Sequence, residues 1–367
     1  MTSIDTSTAG AVRSTTPRDP AAPHPTSSYS ALMRTVRDAG LLRRRRGFYY
    51  AVFAALVVAL GGAVTGFALL GDTWYQLLIA AALGIILTQI AFVTHEASHR
   101  QVFESGKAND RAGRWLAAGA VGISYHWWMH KHSRHHAKPN QVGADPDIEP
   151  DTIVFTEADA AKSTGFLALI TRKQGWLFFP LLTLEGFNLH IRSIASLFDK
   201  GRVEGRALEL TLIFLRLSLY VAVIFWALPL GMAFAFIGVQ MAVFGVYMGA
   251  SFAPNHKGMP ILPHDSKLDF LSRQIITSRN IKGGWWSTAL FGGLNHQVEH
   301  HLFPNMPRPA LAKAREITRD YARSLGIPYT EAGIGESYRI VIRYLNEVGL
   351  AARDPFDCPM VNRFRRT

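Results

Sequence analysis

The sequence of 367 residues predicts an all-α, polytopic membrane protein with four transmembrane helices and a helical cap on the cytoplasmic side. Three observations predict this fold: long uncharged apolar segments, a block of arginines before the first of them, and histidine clusters beside or between them. Length alone would favour roughly two or three soluble domains. The apolar segments outweigh that expectation, because they match or exceed the about 20 residues that a spanning helix needs.

The uncharged segments define the predicted spans. Two of them lie in the first hundred residues, and each is long enough for one helix. A third, at residues 217–253, is too long for one span and contains Pro229 and Gly231, so we predict two helices joined by a tight turn. The predicted spans are about 48–71, 73–94, 207–228 and 232–253.

The distribution of basic residues predicts the orientation of these spans. Four arginines at residues 43–46 stand directly before the first span, whereas the turns around 71–72 and 228–231 carry no Lys or Arg. Because basic residues favour the cytoplasmic side, both termini and all three histidine clusters are predicted there. Arg216 falls inside the third span. We favour a side chain that extends to the headgroups, and the alternative is a place inside the bundle near a substrate path.

Composition argues against several kinds of site. The formal net charge is +12, but the basic residues are spread through the segments that flank the spans, and no basic–aromatic RNA-binding motif is present. Anionic lipid or an acidic protein partner is therefore favoured over nucleic acid. Cys358 is the only cysteine, which excludes an internal disulfide and a cysteine-ligated zinc or iron–sulfur site within the chain.

Three parts of the chain are predicted. Residues 1–45 form a basic, disordered tail, because the first 30 residues are rich in Ser, Thr, Pro and Ala and lack the apolar core of a signal peptide. Residues 46–325 form the membrane domain, and residues 326–367 form a cytoplasmic C-terminal segment. The first span is expected to serve as the insertion signal.

Further helices are predicted outside the spans. Weakly apolar segments at 115–128 and 165–198 predict amphipathic helices in the membrane interface, and helical periodicity continues at 310–325 and 337–348. Tryptophan is favoured at headgroup depth, and five tryptophans suit that place: Trp127, Trp128, Trp176, Trp285 and Trp286.

Eight histidines gather in three short clusters: HEASH at 95–99, HSRHH at 132–136 and HQVEHH at 296–301. Neutral imidazole is the commonest protein metal ligand, and helix positions i, i+3 and i+4 share one face. Each cluster can therefore direct its rings at one point. The i, i+4 pair of the first cluster is the weakest signal alone, whereas the other two share an i, i+3, i+4 pattern.

The number of candidate ligands predicts two metal ions. A structural zinc site closes at four ligands, and at least seven are offered here. An imidazole-rich site without thiolates suits zinc, copper, nickel or iron. Two irons that share these histidines and keep open positions for oxygen would fit redox chemistry on an otherwise inert chain.

The boxes HxxxH, HxxHH and QxxHH, in this order around four spans, resemble those of the membrane-bound fatty acid desaturases. Two longer segments, KHSRHHAKPN at 131–140 and GLNHQVEHHLFP at 293–304, resemble the front-end and linoleoyl-CoA-desaturase-like branch. The likeness extends from about residue 45 to residue 325. It implies a non-haem di-iron centre, molecular oxygen as co-substrate and two external electrons, used to place a cis double bond in an acyl chain.

The resemblance also implies a ligand set. It assigns iron binding to the histidines of the three boxes, and a further ligand to the end of the fourth helix, where Asn255 and His256 stand. The implied ligands are His95, His99, His132, His135, His136, His256, His300 and His301. Asn255 is implied as a ligand acting through water.

Several neighbouring residues are left open. Gln297 occupies the first place of the third box, and its amide is a poor iron ligand. His296 has the spacing to ligate but stands where relatives carry an aromatic residue. Four carboxylates could orient ligand histidines, or could simply lie on the surface: Glu96, Glu299, Asp145 and Asp147. His126 and His130 are also spaced i, i+4, but they match no box of the family, and packing at the membrane interface is favoured for them. Three further histidines carry no metal signal: His24, His190 and His264.

The sequence also bears on the source of electrons and on the alternative functions. The chain has about 45 residues before the first span and no His-Pro-Gly-Gly haem motif, so a separate ferredoxin or flavoprotein reductase is expected to supply electrons. A hydroxylase of the same superfamily is the nearest alternative, because ligand motifs do not distinguish the two reactions. A non-catalytic membrane metal-binding or transport protein is the alternative of another class. The substrate remains either an acyl-CoA or an acyl-lipid.

Overall fold

The computed structural model describes residues 25–352. In chain order its helices are α1 (Pro25–Asp38), α2 (Arg46–Leu70), α3 (Gln76–Ser98), α4 (Gly106–Arg114), α5 (Tyr125–Ala137), α6 (Glu157–Ala160), α7 (Gly165–Thr171), α8 (Gln174–Ser196), α9 (Arg206–Ala227), α10 (Leu230–His256), α11 (Phe270–Ile276), α12 (Trp285–Leu290), α13 (Gln297–Leu302), α14 (Arg308–Ser324) and α15 (Ile334–Leu350). A π-helical segment lies at Trp115–Val121, and 3-10 turns lie at Pro146–Ile148 and Leu294–His296. Two strands, β1 (Arg279–Lys282) and β2 (Thr330–Gly333), pair in parallel.

The four predicted spans are confirmed as α2, α3, α9 and α10, which are long and apolar enough to cross a membrane. The start of each helix lies within three residues of its predicted start. Helices α3 and α10 extend further than predicted at their C-terminal ends, to Ser98 and His256. The residues at these ends continue the helix instead of ending it, and the added residues include the candidate ligands His95 and His256.

Helix α10 is the centre of the bundle, and glycines let its neighbours approach closely. A Cβ atom added to Gly84 of α3 would lie 2.9 Å from the carbonyl oxygen of Gln240. One added to Gly186 of α8 would lie 2.4 Å from that of Met241, and one on Gly245 would lie 2.4 Å from that of Leu182. Small residues at such crossings are the usual means of close helix packing in membranes.

The apolar segments predicted outside the spans form defined helices. Residues 165–198 give α7 and α8, and α8 packs along α10. The helices predicted at 310–325 and 337–348 are confirmed as α14 and α15. Because α15 packs against α8 and α10, residues 326–352 belong to the same packed body as the preceding part of the chain.

The N-terminal segment differs from its prediction. Disorder up to residue 45 is wrong for Pro25–Asp38, which form α1. Leu32 and Val36 are fully buried in a cluster with residues of α11, α13 and α14, and Tyr29 donates a hydrogen bond to the Leu302 carbonyl at 2.8 Å. Tyr29, Leu32 and Val36 form an apolar stripe at i, i+3 and i+7, but the segment around them is mostly polar, so its composition does not predict a helix. Residues 1–24 and 353–367, with His24 and Cys358, lie outside the described residues.

Arg216 turns into the bundle. Its Nε donates to the carbonyl oxygen of Ala120 in the π-helical segment at 3.1 Å, and its guanidinium lies 5.0 Å from the ring centre of Tyr220. The arginine therefore takes the inner position that was the alternative interpretation, and it contacts the backbone of another element.

Candidate metal centre

The candidate ligands lie at helix ends that converge. His95 lies in the last turn of α3, and His99 directly follows that helix. The second cluster lies on α5, whose start is fixed by Ser124, because its hydroxyl accepts a hydrogen bond from the backbone N–H of Trp127 at 3.1 Å. The third cluster lies mainly on α13, and His256 is the last residue of α10.

Five of the histidines form a first group, in which one ring nitrogen from each lies within 4.8 Å of the others. The Nε2 atom of His132 lies 2.8 Å from that of His99 and 3.0 Å from that of His95. The Nε2 atoms of His136 and His300 lie 3.1 Å apart. The members are His95, His99, His132, His136 and His300.

A second group contains His135, His256 and His301, whose nitrogens also lie within 4.8 Å of one another. The two groups are adjacent, because the rings of His136 and His301 stack with centroids 4.2 Å apart. Consecutive residues of α5 thus serve different groups. The structure therefore brings together all eight sequence-predicted ligands and divides them between two places.

Each ring of the second group is oriented by an oxygen acceptor at its Nδ1 atom. His135 Nδ1 lies 3.0 Å from both carboxylate oxygens of Asp145. His256 Nδ1 lies 3.0 Å from the Thr277 carbonyl, and His301 Nδ1 lies 2.9 Å from Oε1 of Gln274. An oxygen acceptor at Nδ1 places the proton there. Each Nε2 atom is left with a lone pair that faces the other members of the group.

This arrangement fits a bound cation. The Nε2 atoms of His135 and His256 lie 3.3 Å apart, and both Nδ1 atoms already carry the donated proton. A cation between them would be attracted to both lone pairs. His301 Nε2 is buried and has no hydrogen-bond partner among the described residues, as expected for a ligand atom.

Burial keeps most of these rings neutral, which is the form that binds metal. It lowers the pKa of His99 to about 3 and holds the pKa of four others well below the usual range: His132, His136, His300 and His301. For His135 burial also lowers the pKa, but the carboxylates of Asp145 and Asp147 outweigh it and raise the pKa above the ordinary value.

Two of the four candidate carboxylates face the histidines and two do not. Asp145 holds His135, and Asp147 lies 3.4 Å from the same ring and 2.9 Å from Lys131. The interpretation of Glu96 and Glu299 as partners of ligand histidines is wrong. Each precedes or follows a ligand by one residue, and one helical step of about 100° turns it to another face.

The two glutamates and His296 have other partners. Glu96 receives two hydrogen bonds from Arg308, at 2.8 and 2.5 Å. Glu299 receives one from Asn280 at 2.8 Å and one from Tyr329 at 2.7 Å, while burial raises its pKa to about 7. His296 lies outside both groups, since its Nε2 is 3.4 Å from the Thr288 hydroxyl.

Gln297 and Asn255 border the second group. Gln297 Nε2 lies 2.9 Å from His256 Nε2, and Asn255 donates to Gln297 Oε1 at 3.3 Å. Sequence reasoning missed Gln274 and Thr277, which orient two ligands but lie about 20 residues from any box. It also gave no signal for the stacking of Trp128 on His132, whose ring centres are 4.8 Å apart.

An apolar cavity reaches the first group from the side of the spans. It lies between α3, the π-helical segment, α5 and α10, and His95 is its one histidine. Its walls otherwise carry aliphatic, aromatic and sulfur-containing side chains and one threonine. The lining residues are Ala91, Phe92, Thr94, His95, Ala117, Val121, Ile123, Trp128, Met248 and Phe252.

Comparison with known proteins gives a consistent result. The family model described as "Fatty acid desaturase" matches residues 72–333. The chain is 28% identical over 316 residues to an acyl-lipid (9-3)-desaturase of Physcomitrium patens, covering 83% of this chain and 58% of the relative. It is 27% identical to a Delta(8)-fatty-acid desaturase of Helianthus annuus, covering 89% of this chain and 74% of the relative. It is 26% identical to a Delta(6)-fatty-acid desaturase of Caenorhabditis elegans, covering 88% of this chain and 74% of the relative.

The chain thus spans between about three fifths and three quarters of the length of these relatives. The family match includes the second, third and fourth spans, both complete histidine groups and every wall of the apolar cavity. This chain belongs to the fatty acid desaturase family.

Proposed function

We propose that this protein is an oxygen-dependent acyl desaturase that inserts a cis double bond into a fatty acyl chain. The observation that carries the proposal is the pair of adjacent histidine groups, one of which has all three ring orientations fixed by oxygen acceptors. Two non-haem irons held there would supply oxidation of adjacent methylenes by molecular oxygen. Electrons would come from a separate ferredoxin or flavoprotein reductase.

The protein residues would position the acyl chain and exclude water. His95 and Trp128 both line the apolar cavity, so an acyl chain that enters it would have methylenes beside the first group. Apolar walls suit a hydrocarbon, and burial of the chain would be favoured by roughly 0.8 kcal/mol per methylene. Asp145, Thr277 and Gln274 would hold the protons of three ligand rings at Nδ1 and keep each Nε2 available.

We further propose that the site and both termini face the cytoplasm. The arginines at 43–46 precede α2 on the side where α3 and α10 end. If all four helices cross the membrane, the candidate ligands lie on that side. The positive-inside rule then assigns this side to the cytoplasm.

Product analysis tests the proposal. The full chain is expressed in a bacterium with a matched ferredoxin and reductase, and its fatty acids are derivatised and analysed by mass spectrometry. New cis double bonds are expected, and the names of the relatives favour the Δ6 or Δ8 position. New hydroxyl groups without unsaturation would favour the hydroxylase alternative. Bound metal with unchanged fatty acids, whichever reductase is supplied, would favour the non-catalytic one.

The wall of the cavity makes a second prediction possible. Ala117 and Val121 of the π-helical segment line the cavity, and side chains of two other helices contact the backbone of this segment. Arg216 donates to the Ala120 carbonyl at 3.1 Å, and the His190 ring lies with Nε2 3.2 Å from the Val121 carbonyl and Nδ1 2.7 Å from the Gly186 carbonyl. The bond from Arg216 gives the Ala120 carbonyl a partner that it would otherwise lack.

Arg216→Leu is therefore expected to loosen this wall and relax the selection of acyl chain length. The preference between two acyl chains that differ by two methylenes should fall by up to roughly tenfold. The measurement is competition between the two chains, with Arg202→Leu in an exposed loop as the control. An Arg216→Leu protein that accumulates normally and keeps the original preference would contradict the role of Arg216.

A further inference from the structure

Helix α12 presents an exposed apolar face directly before the third histidine cluster. Trp285 is 84% exposed, Trp286 48% and Leu290 40%, on a helix of six residues. The helix sequence, WWSTAL, contains no charged residue. Such a surface is unfavourable in water, so a contiguous patch of this kind indicates a partner or a membrane.

Two spans hold this helix through its backbone. Gln89 of α3 donates from Nε2 to the carbonyl oxygen of Ala289 at 3.1 Å. Tyr247 of α10 donates from its hydroxyl to the carbonyl oxygen of Leu290 at 2.6 Å, and Gln89 also donates to Tyr247 at 2.6 Å. Polar side chains on apolar spans are thus used to bind the C-terminal end of α12.

The positions of Gln89 and Tyr247 along their helices give the depth of this attachment. Gln89 is 13 positions from Gln76 at the start of α3, and Tyr247 is 17 positions from Leu230 at the start of α10. At about 1.5 Å per residue, these positions lie roughly 20 and 26 Å from the far ends of the spans. Both distances are shorter than the about 30 Å of a bilayer hydrocarbon core.

The segment after α12 is fitted closely to the same surface. Gly292 has a φ of 59°, which favours glycine. A Cβ atom at Gly292 would also lie 2.4 Å from Cγ of Phe92 on α3, so no larger residue fits there without a shift. Phe92 is itself 1% exposed and lines the apolar cavity.

We propose that α12 is a membrane-contact helix, with Trp285 and Trp286 inserted among lipid acyl chains at the face of the bilayer near the metal centre. This contact tethers the third histidine cluster to the membrane through Gly292 and Gly293. Lipid is favoured over a protein partner because α12 lacks charge and is attached to α3 and α10 at membrane depth. Tryptophan is enriched at the interface between the membrane and water, which is the face of the bilayer proposed here. The proposal does not depend on the catalytic one.

Spin labels measure the depth directly. In the full chain with Cys358→Ser, single cysteines are introduced as Trp285→Cys and, separately, as Ala289→Cys, then labelled and reconstituted in phosphatidylcholine–phosphatidylglycerol vesicles. Collision with oxygen, which concentrates in lipid, is compared with collision with a water-soluble nickel chelate. Val58→Cys, on the exposed face of α2, is the lipid reference, and Lys313→Cys, on the exposed face of α14, is the water reference.

Labels at positions 285 and 289 are expected to resemble the Val58 label, with a ratio of oxygen to nickel accessibility several-fold above that at Lys313. A ratio at both positions equal to that of the Lys313 label would overturn the proposal, and would leave α12 as a surface for a soluble partner. Ala289→Cys keeps both tryptophans, so it decides the question if Trp285→Cys does not accumulate. Metal content and product analysis are separate measurements, so failure of the catalytic proposal would not affect this result.

Discussion

His256→Ala is expected to reduce bound iron from two ions to about one per chain and to abolish desaturation. The second group has only three histidines, and each has its lone pair directed into the group. Losing one of three ligands should lower metal affinity at that place far more than losing one of five at the other. Iron per chain, measured on purified protein by elemental analysis, gives a readout that is separate from activity.

A substitution of a residue that orients a ligand ring should have a weaker effect on bound iron than loss of the ligand itself. Gln274→Leu removes the acceptor at Nδ1 of His301 while leaving the ligand in place. Loss of such an outer partner typically costs 10–100-fold in metal affinity, so iron should remain bound but exchange more readily with a chelator. His130→Ala is the matched control, because His130 is exposed on α5 and belongs to neither group.

Two outcomes would contradict the ligand assignment. His256→Ala with two irons per chain and full activity would remove this residue from the set. Equal loss of iron in His130→Ala and His256→Ala would show that α5 and α10 respond to any substitution, and not to the loss of a ligand. A chain that binds zinc alone under iron-replete expression would contradict the proposed iron chemistry.

Local spacing explains why the ligands could be predicted from the sequence. The i, i+3 and i+4 pattern depends only on helix geometry, so His132, His135 and His136 could be recognised without a fold. Their division between two groups could not, because it depends on how α5 crosses α3, α10 and α13. His135 and His136 are adjacent in the sequence, yet they face different groups.

Partners distant in the sequence account for most of the errors. Glu96 and Glu299 lie beside ligands, and their real partners, Arg308 and Tyr329, come from α14 and from the residue before β2. The spans were predictable because apolar length is a local property. Helix α1 could not be predicted in this way, because its few apolar residues are buried only by contact with distant elements such as α14.

The buried ion pair between Glu96 and Arg308 is expected to be the most sensitive structural contact near the site. Arg308 is 5% exposed and Glu96 2%, and the two share hydrogen bonds at 2.8 and 2.5 Å. Tyr49 joins them, lying 3.2 Å from the carboxylate and accepting the backbone N–H of Arg308 at 3.3 Å. The contact links α2, α3 and α14 one residue away from His95.

Arg308→Met is therefore expected to destabilise the protein by roughly 3–5 kcal/mol, the usual cost of leaving one charge of a buried pair without its partner. The free energy of unfolding of the full chain is measured in detergent by titration with denaturant. Arg323→Met on the exposed side of the same helix is the control, and it should change stability by no more than about 0.5 kcal/mol.

The double variant Glu96→Leu with Arg308→Met separates the pair from general loss of packing. Apolar replacement of a whole buried ion pair is often neutral or stabilising, so the double variant should recover most of the stability lost in Arg308→Met. If the double variant is instead less stable than the single one, the guanidinium acts mainly through its packing on Phe48, whose ring centre lies 5.6 Å from it. If Arg308→Met unfolds like the unaltered protein, the pair has no structural role, and His95 is held in place by α3 alone.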